Sequence, residues 1–246
     1  MNRRIQITIE YDGTSYHGWQ RQRDIPTIQK CLEDALKTLR QSYIPVIASG
    51  RTDAGVHALG QVAHFDIDFV GSDEELRKAI NRLMPHDIYV RQLKTVESSF
   101  HAQKCATGKI YLYRIWNSPE PSVFQLRHYW WIPTPLDLSL MEEAAQYCLG
   151  THDFSSFQNV GTPVLSTMRT LKKIACSRPN DPEIHWEFEA DGFLKQMVRN
   201  IMGTLVAVGK RRFPPSQVKE LLTARNRSYT PPPAPAHGLT LKEVKY

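Results

Sequence analysis

Between Gly50 and Ala58 the chain reads Gly-Arg-Thr-Asp-Ala-Gly-Val-His-Ala, and here residue types and spacing suit chemistry. Arg51 and Asp53 stand two residues apart, between glycines that permit tight turns and close approach to a ligand. A carboxylate close to an arginine is ionised at neutral pH and can serve as nucleophile or base. The same residues also suit an ordinary Asx turn, in which Asp53 bonds its own backbone. The stretch matches neither the G-x-x-x-x-G-K-[ST] phosphate loop nor the G-x-G-x-x-G dinucleotide pattern. A second mixed stretch, Tyr16 to Arg23, combines aromatic, guanidinium and amide groups. It suits either stacking on RNA bases or a polar loop with Trp19 as its anchor.

The elements that must position these residues follow from periodicity. Ile5, Ile7, Ile9 and Tyr11 alternate with polar residues, as in a half-buried strand, and Asp12-Gly13 ends it. Thr27 caps an amphipathic helix through Ile28, Cys31, Leu32, Ala35, Leu36 and Leu39, with Glu33 and Lys37 at pairing distance on its surface. Apolar runs 44–47 and 62–67 flank the Gly50–Ala58 loop. Ser72-Asp73-Glu74-Glu75 forms a capping box, opening a helix with the face Leu76, Ala79, Ile80 and Leu83, closed by Pro85. A strand near 88–93 completes the first half.

The second half repeats that alternation. Tyr111, Tyr113 and Ile115 share one face of a strand over 111–116, and a further strand spans 129–132. Asp137 opens a helix through Met141, Ala144, Ala145 and Cys148, stopped by Gly150. Strands 169–176 and 184–190 pair around Pro179-Asn180-Asp181-Pro182. Residues 193–208 are apolar nearly all round and predict a buried helix, whose polar members Lys195, Gln196, Arg199 and Asn200 cluster. A short helix over 215–224 precedes the Pro-rich run 230–235, expected as an extended surface strap, and a strand over 239–246. Two α+β halves, 1–104 and 105–246, are the expected domains.

The chain has 246 residues, enough for one large domain or two smaller ones. Its 31 Lys and Arg against 25 Asp and Glu give a net charge of +6, which leans toward a polyanionic partner. Arg21, Arg23, Lys210, Arg211 and Arg212 are the expected basic face. The four cysteines are dispersed without zinc-ligand spacing, as in a reducing cytosol. With no signal-type or membrane-length apolar run, a cytoplasmic protein is expected.

In order along the chain, the sequence resembles the bacterial tRNA pseudouridine synthase A family. The resemblance rests on Tyr11-Asp12-Gly13, Gly18-Trp19-Gln20-Arg21-Gln22, Gly50 to His57, Tyr111 within Lys109 to Tyr113, Asp153 to Phe157, Arg169-Thr170, Met197 to Gly203 and Ala234 to Leu239. It covers essentially the whole chain, and the eight-residue Gly50–His57 match is very specific. Two departures bear on RNA grip and not on the reaction. Ile110 stands where members usually carry a basic residue, and Lys195-Gln196 where they often have Tyr-His.

The resemblance implies a pseudouridine synthase fold, two α/β halves sharing an antiparallel sheet with a central active-site cleft. It implies isomerisation of uridine to pseudouridine at nucleotides 38, 39 and 40 of the tRNA anticodon stem-loop, by a homodimer using no cofactor and no metal. Asp53 is then the essential carboxylate, as nucleophile or as base toward the sugar. Tyr111 lies along the uracil, Arg51 replaces the flipped base or holds the adjacent phosphate, and Arg199 pairs with Asp53.

Two other readings compete. A non-catalytic RNA-binding protein of ferredoxin-like α+β type would share the strand and helix order, but it lacks the RNP1 aromatic run and leaves Arg51 and Asp53 unexplained. A metal-dependent nuclease would need Asp53, Asp66 and Asp68 to converge, whereas Asp66 and Asp68 fall on one face of a strand.

Overall fold

The computed structural model describes residues 2–159, 161 and 164–246. In chain order the elements are β1 (Asn2–Tyr11), α1 (Ile28–Arg40), β2 (Ile47–Ala48), β3 (His57–Asp68), α2 (Asp73–Leu83), β4 (Ile88–Val96) and β5 (Gly108–Trp116). They continue with β6 (Trp130–Trp131), α3 (Leu138–Gln146), β7 (Gly150–Asp153), β8 (Met168–Ser177), β9 (Glu183–Ala190), α4 (Met197–Gly209), α5 (Gln217–Ala224) and β10 (Leu239–Lys245). Contacts group them into two compact units, one of Met1–Thr107 with Thr240–Tyr246, the other of Gly108–Leu239. The last strand thus returns to the first unit, which no sequence pattern indicates. Together they make the mixed α+β architecture, with mostly antiparallel strands, of the pseudouridine synthase fold.

In the first unit the strand order is β4-β1-β3-β10, with β2 laid on β3. β1 runs antiparallel to both neighbours, and β10 meets β3 in parallel through Thr240 opposite His57. Ile5, Ile7 and Ile9 are wholly buried, as the alternation predicts. Each contributes about 1.5–3 kcal/mol by leaving water. They share the core with Ile28, Leu32 and Leu36 of α1 and Leu76 and Ile80 of α2. Thr27 caps α1 and Ser72 with Glu75 forms the expected capping box on α2.

Several local expectations change. Glu33 does not pair with Lys37. It is wholly buried and takes Arg21 at 2.7 Å, while its other oxygen accepts from Gln29 at 3.0 Å and the Val46 N–H at 3.2 Å. A buried carboxylate needs several donors, and the chain before α1, its first turn and the chain before β2 supply one each. Leu83, placed in the core by spacing, is 42% exposed in the last turn of α2. The run 44–47 ladders only at Ile47–Ala48, although Ile44 and Val46 are buried.

In the second unit the order is β5-β9-β8-β7, antiparallel throughout, with the short β6 parallel to β5. Tyr113 and Ile115 of β5 and Trp186 and Phe188 of β9 fill the core. α4 begins at Met197, four residues later than periodicity suggests, because Gln196 adopts a left-handed conformation at φ 60°. Lys195 and Gln196 therefore precede the helix. α3 ends at Gln146, and Gly150, at φ 93°, opens β7 instead of stopping the helix. The 230–235 strap is extended but not superficial, since Ala234 is wholly buried and Thr230 nearly so. Among the described residues no helix is long and apolar enough to cross a membrane.

Candidate active site

The loop carrying Arg51 and Asp53 connects β2 to β3 and is held from beneath at nearly every residue. The Gly50 carbonyl accepts from Gln61 Nε2 at 2.9 Å, and Gln61 is itself fixed by Ser49 Oγ at 2.8 Å. The Trp19 N–H donates to the Thr52 carbonyl at 3.1 Å, the Gly55 N–H to the Tyr16 carbonyl at 3.2 Å, and the Val56 N–H closes a turn onto Asp53 at 3.1 Å. The Tyr11 hydroxyl meets Thr52 Oγ1 at 2.8 Å. Burial pushes that phenol up to about 12, so it keeps its proton at neutral pH. Gly18, at φ +84°, lies flush under the loop: a Cβ there would stand 2.4 Å from the Thr52 carbonyl oxygen. Only glycine meets both that conformation and that closeness.

This geometry decides the part played by Tyr16 and Trp19. Tyr16 is 7% and Trp19 2% exposed, so neither ring is available to stack on a base. Trp19 anchors the stretch beneath the loop. Its carbonyl accepts from the Gln29 N–H at 3.0 Å and the Gly18 carbonyl from Ile28 at 3.2 Å, tying the loop support to the first turn of α1. On top, Thr52 is buried, Asp53 half-buried and Arg51 exposed. The loop thus presents a carboxylate and a guanidinium on a rigid base, as a preorganised site requires.

Two of the three carboxylates of the nuclease reading, Asp66 and Asp68, are otherwise engaged. Arg4 lies opposite Asp66 in the β1–β3 register and donates to both its oxygens at 2.8 Å. That fork holds the Asp66 carboxyl below its usual range. Asp68 stands 3.6 Å from Arg40.

In the second unit, Tyr111 sits on β5 with its ring edge-on to Phe193 at 5.0 Å. Lys109 precedes it by two residues on the same face of the strand, and burial pushes its ammonium down to about 8. Sequence reading passed over Lys109, although a lysine two positions before the tyrosine on a buried strand was the available signal. Arg199 lies in the first turn of α4, where every other residue is buried. Its Nε donates to the Ala234 carbonyl at 2.8 Å. The sequence shows Ala234 only as the start of the tail Ala234 to Leu239, since nothing in a proline-rich run marks one carbonyl as an arginine's acceptor.

The tRNA pseudouridine synthase family matches residues 7–103 and 144–246. The chain belongs to that family. It is 44% identical to the tRNA pseudouridine synthase A of Lawsonia intracellularis, over 99% of both chains. To the proteins of that name from Maridesulfovibrio salexigens and Acetivibrio thermocellus it is 41% and 40% identical, over 99% of this chain and 90% and 100% of theirs. The match includes the loop with Arg51 and Asp53 and the helix with Arg199, while Tyr111 falls in the unmatched stretch 104–143. As a pseudouridine synthase the chain is an isomerase, which removes the non-catalytic RNA-binding module and the nuclease as readings.

Proposed function

We propose that this enzyme isomerises uridine to pseudouridine at nucleotides 38, 39 and 40 of the tRNA anticodon stem-loop, working in the cytoplasm as a homodimer without cofactor or metal. The reaction breaks the bond from ribose C1′ to N1, turns the uracil and joins C1′ to C5. The C5 hydrogen leaves as a proton and N1 regains one. Asp53 is the carboxylate that attacks the nucleoside or takes a proton from its sugar. Arg199 is its cationic partner, Tyr111 lies along the uracil, and Arg51 fills the place of the flipped base or holds the adjoining phosphate.

The observation that carries this reading is the brace beneath Asp53. Backbone bonds from Trp19 and to Tyr16, with the Tyr11–Thr52 contact, hold the backbone that carries one half-buried carboxylate. An ordinary surface turn has no use for such support.

The test uses tRNA labelled with tritium at uridine C5, because forming the new bond must release that hydrogen to water. The wild-type enzyme is expected to release label and Asp53→Asn to release none, while both bind tRNA alike through phosphate contacts. Label release by Asp53→Asn at near the wild-type rate would end the proposed role, and mapping the product on bulk tRNA reports the nucleotides used.

A further inference from the structure

One residue of the Pro-rich strap holds Arg199 at both backbone and side chain. The Ala234 N–H donates to the Arg199 carbonyl at 2.9 Å, and Arg199 Nε donates to the Ala234 carbonyl at 2.8 Å. With Nε committed, the planar guanidinium is fixed about its long axis, and the direction of its terminal nitrogens follows the strap.

The strap is pinned at each end. At its start the Arg227 guanidinium donates to the Thr230 carbonyl at 3.0 Å and to Oδ1 of the buried Asn200 at 2.9 Å. At its finish the Tyr113 hydroxyl donates to the Pro235 carbonyl at 2.8 Å, on the peptide unit next to the one that takes Arg199. Between these points the prolines restrict φ and supply no N–H, so no ladder competes for the segment. Ala234, preceding a proline, is confined to extended backbone.

Tyr113 is seated for this task. It is wholly buried, with Trp130 edge-on at 6.3 Å. Gly238 leaves room for its ring, since a Cβ there would lie 2.7 Å from Tyr113 Cζ. Burial raises the hydroxyl well above its ordinary range, against the pull of the Arg199 charge, so it remains a donor at neutral pH.

We propose that Tyr113 is a positioning residue for Arg199, acting through the consecutive carbonyls of Pro235 and Ala234 and not by touching the uridine. The inference rests on Arg199 being the cation of the isomerisation site. Tyr113→Phe removes one oxygen and keeps the ring. In single-turnover label release with enzyme in excess, its rate is expected to fall about tenfold, or ~1.4 kcal/mol of barrier. Its Kd for tRNA is expected to remain unchanged.

The deciding measurement is a cycle with Arg199→Lys, which has no Nε to bond Ala234. On that background Tyr113→Phe is expected to change the rate by less than about twofold, because the path it acts through is already cut. Equal losses on both backgrounds would overturn the proposal. So would a wild-type rate for Tyr113→Phe, or a loss confined to tRNA affinity. If Tyr113→Phe does not fold, Pro235→Ala loosens the same carbonyl and runs through the same cycle with the same outcomes. An inactive wild-type chain overturns the function itself. An active wild type with a fully active Tyr113→Phe overturns this inference alone.

Discussion

The Tyr11 phenol oxygen lies 2.8 Å from Thr52 Oγ1, which joins the end of β1 to the residue immediately before Asp53. Both side chains are buried, so neither can exchange this partner for water. Tyr11→Phe leaves the threonine hydroxyl short of its partner and is expected to cost about 1–3 kcal/mol of stability. Gly18→Ala is expected to cost a similar amount or more, through left-handed strain and the clash with Thr52. Both variants are expected to lose more turnover than tRNA affinity. Denaturant melts beside label-release rates check this, and full activity in Gly18→Ala would show that the loop needs no brace.

Arg199→Ala is expected to lower the isomerisation rate at least about a hundredfold. Meanwhile it costs about 1.5–3 kcal/mol of stability, the value of a charge-assisted bond such as that to Ala234. The other residues of α4 stay buried without it. A collapse of the fold with Arg199→Ala, measured by thermal melting, would make the arginine structural.

Arg21 and Arg23 are expected to separate by role. Arg21 is tied to the buried Glu33 at 2.7 Å and lies over the Tyr43 ring at 5.7 Å, whereas the Arg23 side chain is 96% exposed. Arg21→Ala leaves a buried carboxylate with one cation fewer, at a cost of about 1–3 kcal/mol after allowing for the exposure of the arginine. Arg23→Ala is expected to leave the melting temperature alone and to reduce the slope of log affinity against log salt by about one. Affinity for tRNA that is indifferent to salt in the wild type would remove the phosphate-contact account altogether.

Stability is expected to depend on pH through His64. Its ring is buried, its Nδ1 accepts from the Ala102 N–H at 3.1 Å, and it lies 4.8 Å from the His101 ring. Burial, aided by His101 and Arg4 and opposed by Asp66, holds its pKa below the ordinary 6.5. The unfolded chain therefore takes up the proton first, and stability complete above pH 6.5 is lost as pH falls below it toward the lowered folded value. The loss is at most about 1.4 kcal/mol per pH unit for one group. His64→Gln should flatten melting temperature against pH between about 7.5 and 5. Identical curves for variant and wild type would assign the dependence elsewhere.

The sequence by itself determined what depends on neighbours in the chain. The alternation of Ile5, Ile7 and Ile9 specified β1, and Thr27 and Ser72 marked two helix starts, because caps and alternation act over a few residues. The Gly50–His57 stretch identified the loop for the same reason, its chemistry being contiguous. Tertiary structure decided whatever depends on residues far apart in sequence. It put Trp19 beneath Thr52 instead of against a base, gave Glu33 to Arg21 instead of Lys37, and set Ala234 against Arg199. It also brought β10 back beside β3. A buried polar group must find its partner wherever packing has left one, and periodicity along the chain carries no record of that place.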